Sequence, residues 1–154
     1  MSSLNALSVA IEAASRQRDE ARQALQNTEA AQQAARDQLE QIEGYARATE
    51  ARWGVRADTA MQPEVMYHHY QFMNRLGHAA GIQTGVVGDQ ARRVEAARQA
   101  LLQAELRVAS LRKVLDARRQ ELERAQMRRE QKQTDERAAL QYRGAGPGSA
   151  GQEY

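Results

Sequence analysis

Apolar and small side chains recur along this chain at alternating steps of three and four residues, over runs far longer than a globular helix needs. The spacing first selects Leu4, Leu7, Ile11, Ala14, Arg18, Ala21, Leu25, Thr28, Gln32, Ala35, Leu39, Ile42, Ala46, Thr49 and Trp53. After a gap it selects Met66, His69, Met73, Leu76, Ala80, Gln83, Val87, Gln90, Val94, Ala97, Leu101, Ala104, Val108, Leu111, Leu115, Arg118, Leu122 and Ala125. A mean step of about 3.5 residues is the heptad period of a coiled coil. Breakers are sparse: residues 1–43 and 89–143 contain neither Gly nor Pro, and Gly54, Pro63 and the stretch from Gly144 onward supply the interruptions. The pattern predicts two helices, about 3–55 and about 64–142, a turn at about 56–63, and a disordered tail over 144–154. Residues 1–143 read as a single domain. Ser2, Ser3 and Asn5 can each cap the first helix, and Asp58, Thr59 or Gln62 with Pro63 can start the second.

Two seams joined by a short turn fold back on one another. The expected fold class is all-α: a long antiparallel two-helix coiled-coil hairpin with an overhanging C-terminal helix. Its seam is thin. Leu, Ile, Val and Phe fill only 24 of 154 positions, whereas Ala alone fills 29. Alanine buries little area at about 25 cal/mol per Å², and Arg18, Gln32, Gln83 and Gln90 bring polar groups to the seam. Modest stability alone, and stiffening on a partner, are expected. Disorder throughout is not, because 22 cations nearly cancel 20 anions. At 1.5 Å per residue the helices run roughly 80 and 115 Å, so the second overhangs. With the turn centred near residue 60, Leu4 lies opposite about residue 116 and Ala117 to Arg143 has no mate. The basic charge gathers there: residues 107–143 hold 11 cations and 6 anions.

Catalytic and metal chemistry find little purchase. Without cysteine there is no disulfide framework, thiolate metal site or thiol nucleophile. His68 and His69 are adjacent, about 100° apart on a helix, and His78 follows His68 by ten residues, so no i, i+4 zinc pair exists. His69 reads as seam filler and the other two as surface. Carboxylate pairs such as Glu40 and Glu43, or Asp19 and Glu20, sit among arginines at ordinary helix spacing. Gly77, Gly81, Gly85 and Gly88 lack the Lys and preceding strand of a phosphate loop, and leave local softness or close approach of another backbone as readings. No enzyme activity, catalytic residue, cofactor or metal is expected. Neither a secretory signal nor a run of roughly 20 apolar residues is visible, which places the chain in the cytoplasm, with a peripheral membrane position left open.

The register also predicts a surface. With seam positions labelled a and d, Gln38, Tyr45 and Arg52 fall at g in the first helix, and Phe72, Ala79 and Val86 at g in the second. In an antiparallel pair these rows flank one side, so Tyr45 and Phe72, with Ile42 and Leu76 of the seam, form an apolar patch suited to a protein interface. The alternative is that the two rings fold over a weak seam. Trp53, Tyr67 and Tyr70 lie nearer the turn, where they can close the hairpin end. For the arginine-rich overhang, a solvated helix, a protein socket and a polyanion contact all stay open, although interleaved acidic residues dilute a phosphate-tracking reading.

These residues carry a resemblance. The heptad helix with Gln38, Ile42 and Tyr45, the segment Tyr67-His-His-Tyr-Gln-Phe-Met-Asn-Arg-Leu76, and the run Leu111 to Arg143 with Gln131-Lys-Gln-Thr-Asp-Glu136 resemble the FliJ family of the bacterial flagellar type III export apparatus. The likeness in length, turn position and overhang covers residues 4–143. It implies a non-enzymatic stalk, similar in architecture to the central shaft of rotary ATP synthases, whose helical ends enter the hexameric ring of the export ATPase FliI. It also implies contact with the export-gate protein FlhA through Gln38, Ile42, Tyr45, Phe72, Leu76 and Ala79. Thr49 stands where the family has an aromatic residue, and Gln83 where it has a histidine. The ring contact is expected at Arg118, Arg119, Arg124, Arg128 and Arg129, other export chaperones are candidate partners, nucleic acid is not expected, and membrane association would be peripheral, through partners. A stalk of a virulence-type secretion system and a basic polyanion-binding helix are the alternatives.

Overall fold

Both helices run through glycines: the first contains Gly44 and Gly54, the latter expected to interrupt it, and the second contains Gly77, Gly81, Gly85 and Gly88. In the computed structural model, which describes residues 2–56 and 62–145, α1 spans Ser2–Arg56 and α2 spans Pro63–Gly144. Proline opens α2 at the position where its missing N–H is no loss and its fixed φ already suits a helix. The carbonyl of Gln62 accepts from the amides of Val65, at 3.1 Å, and Met66, at 3.3 Å, and Glu64 adds a carboxylate to the first turn. Of the expected turn, positions 57–61 lie outside the described residues, with Asp58 and Thr59, as do positions 146–154 of the expected tail. No strand occurs among the described residues.

The chain divides into two compact units: Ala14–Arg107, and Met1–Ala13 with Val108–Tyr154. In the first, α1 and α2 pack antiparallel, because contacts advancing along α1 step backwards along α2. Arg98 faces Glu29, Gln83 faces Ala35, Phe72 faces Tyr45 and His69 faces Trp53. Ala14, Ala35 and Val94 are buried here, and Thr49 and Gln83 are the buried polar residues. Gln83 is satisfied across the seam, its amide donating to the Ala35 carbonyl at 2.9 Å. Arg18 escapes burial of its charge differently, reaching the carboxylate of neighbouring Asp19 at 3.1 Å.

In the second unit Val108 and Leu115 are buried, and Leu4, Leu7, Ile11 and Leu111 are half-buried. Beyond Leu115, α2 continues to Gly144 with its described side chains exposed apart from the half-buried Ala125. Seam spacing persists through Ala125, yet Arg118 and Leu122 are exposed, because periodicity marks a face whether or not a mate covers it. Met66, in the first turn of α2, is exposed as well.

Candidate interaction surfaces

Tyr45 leaves α1 one position before the seam residue Ala46, and Phe72 leaves α2 one position before Met73, so both rings stand at the same flank of the helix pair. Their centroids lie 6.0 Å apart with planes at 83°, an edge-to-face pair. Neither is hidden: Tyr45 is 52% and Phe72 38% exposed. Ile42 and Leu76 are half-buried in the seam and Ala79 beside it, while Gln38 is exposed. All six residues expected at the gate contact belong to the unit Ala14–Arg107. Ile82 and Val86 are also exposed on α2 and continue the apolar row.

Toward the hairpin end the helices leave a half-open groove of about 440 Å³, whose described lining is Tyr45, Thr49, Arg52, Trp53, Val65, His68, His69 and Phe72. Trp53 and His69 stack at 4.2 Å with planes 19° apart, each drawn inward by its seam position. Tyr67 and Tyr70 do not help to close this end. Both are 61% exposed, because the inward position between them belongs to His69; the Tyr67 hydroxyl accepts from the Gln71 amide at 2.9 Å instead. His68 and His78 are exposed.

Register alone located the two rings but missed the groove. Its lining joins Thr49, a small residue at a seam position, with Val65 and His68, which lie off the seam. Thr49 and Gln83, expected from the resemblance to depart from the gate-contact pattern, are both buried in the seam rather than set on the surface.

The five arginines of the second candidate surface, Arg118, Arg119, Arg124, Arg128 and Arg129, are all exposed on α2 in the unit that contains Val108–Tyr154. Among the described residues none of them forms an ion pair. At about 100° per residue they spread around the helix instead of forming one stripe. Leu122 and Met127 stand exposed between them. Among the described residues no group of three or more His, Asp or Glu could hold a metal, and no helix is long and apolar enough to cross a membrane.

A family model described as the flagellar FliJ protein matches residues 3–147. The chain belongs to that family. The match takes in both helices, the aromatic pair and the arginine-rich stretch, and makes the chain a component of the flagellar type of protein export. Neither the curated proteins nor the solved structures include one that matches it.

Proposed function

We propose that this FliJ-family chain is a non-enzymatic stalk that engages two partners of the export apparatus through separate surfaces. The aromatic flank of the helix pair meets the export-gate protein FlhA, and the arginine-rich end of α2 meets the ring of the export ATPase FliI. The observation that carries the first contact is the exposed edge-to-face pair of Tyr45 and Phe72, large aromatic anchors on a helix pair with little core of its own. For the second, charge on several sides of one helix suits a ring of subunits, whereas a membrane surface or a phosphate track calls for charge on one side. Hydrolysis belongs to the ring and the chain supplies contacts, from a cytoplasmic position held at the inner membrane by its partners.

The test is co-purification from native cells with a tagged chain. Recovery of both the ATPase and the gate protein is expected. Recovery of nucleic acid or acidic lipid with neither protein would replace this reading with polyanion binding.

A further inference from the structure

The groove beside the aromatic pair carries more information than the pair itself. Tyr45 and Phe72 bound it on one side and the stacked Trp53 and His69 on the other, two turns further along α1, with Val65 of α2 completing an apolar wall. It is open to solvent, with a volume of about 440 Å³. Among the described residues no acidic side chain lines it. Arg52 contributes the only guanidinium or ammonium group of the lining among the described residues, and that guanidinium has no ion-pair partner among them. A site with these walls and this charge fits an apolar side chain that has a carboxylate close by in its own sequence.

We propose that the groove seats one apolar anchor of the gate protein, and that Arg52 binds a carboxylate flanking that anchor. This rests on the assignment of the aromatic flank to the gate contact and adds the chemistry of the segment that docks there. The groove supplies the fit, and Arg52 selects among apolar segments by the charge beside them.

Trp53 is the only tryptophan in the chain, so 5-fluorotryptophan labelling places a single ¹⁹F reporter in the groove. Adding the unlabelled gate protein to the labelled full chain is expected to shift or broaden that line in step with binding. Arg52→Glu should lower the affinity by about tenfold or more and Arg52→Gln by less, as for truncated or reversed interface charges. Both should leave the circular dichroism spectrum unchanged, since Arg52 is exposed. If the fluorine line stays still while the gate protein binds, and Tyr45→Ala with Phe72→Ala still weakens binding, the groove is empty in the complex. The groove proposal then falls and the gate assignment stands. If Arg52→Glu binds like the parent chain, the partner carboxylate is wrong. If the gate protein does not bind the parent chain at all, the gate assignment fails and takes this proposal with it.

Discussion

Thr49 presents a hydroxyl oxygen that is buried and has no hydrogen-bond partner. Other threonines in the helices solve this locally: Thr28 donates to the Leu25 carbonyl at 2.9 Å, and Thr84 to that of Ala80 at 2.8 Å. A buried group left unpaired costs about 1–3 kcal/mol, and Val has nearly the same shape without the hydroxyl. Thr49→Val should therefore raise stability by about 1 kcal/mol in urea melts, and a loss of that size would show that the hydroxyl is paired in solution. At Tyr45 and Phe72 the opposite division is expected. Both rings keep more than a third of their surface exposed, so the double alanine variant should retain its helix content while losing roughly a few kcal/mol of gate affinity by titration calorimetry. Melting of the helices with no separate loss of binding would mean that the rings serve only to cover the seam.

Heptad spacing made the helix faces legible. Every seam position from Leu4 to Trp53 and from His69 to Leu115 is buried or half-buried, because a mate covers the face that the period marks. Spacing was silent on where the mate stops, and Met66, Arg118 and Leu122 are exposed despite lying on the marked face. For the last two, helix length supplied what periodicity lacked. The aromatic flank was legible for the same reason as the seam, whereas the groove depends on side-chain volumes from both helices and leaves no period to read. The glycines of α2 raised a question that geometry settles within the chain: a Cβ at Gly77, Gly81 or Gly85 would meet nothing within 4 Å. No close packing in this chain demands them, and each costs the helix about 1 kcal/mol relative to Ala. Gly77→Ala, Gly81→Ala and Gly85→Ala together should stabilise the protein by up to about 3 kcal/mol and slow amide exchange between residues 77 and 88. An unchanged exchange rate there would rule out softness as their effect.

For the whole molecule, the proposed surfaces fall in different units, the aromatic flank in Ala14–Arg107 and the five arginines in the unit containing Val108–Tyr154. Changes to one should leave the other intact. Reversing Arg118, Arg119, Arg124, Arg128 and Arg129 to Glu is expected to reduce association with the export ATPase and its stimulated hydrolysis, with gate binding spared. Added salt should weaken the parent contact, since exposed charges are screened beyond roughly 8 Å at physiological ionic strength. Normal stimulation by the reversed chain, with loss of binding to lipid vesicles or nucleic acid, would assign this end to polyanions.

The seam hides no large side chain completely; its buried apolar residues are Ala14, Ala35, Val94, Val108 and Leu115. So small a core leaves little free energy between the closed and opened chain until something else covers it. A copy without a partner is then the one that cellular proteases reach first, because degradation follows the population of opened molecules. Synthesis in excess of the available docking places would be cleared, and the number of surviving copies would follow the number of machines built to receive them.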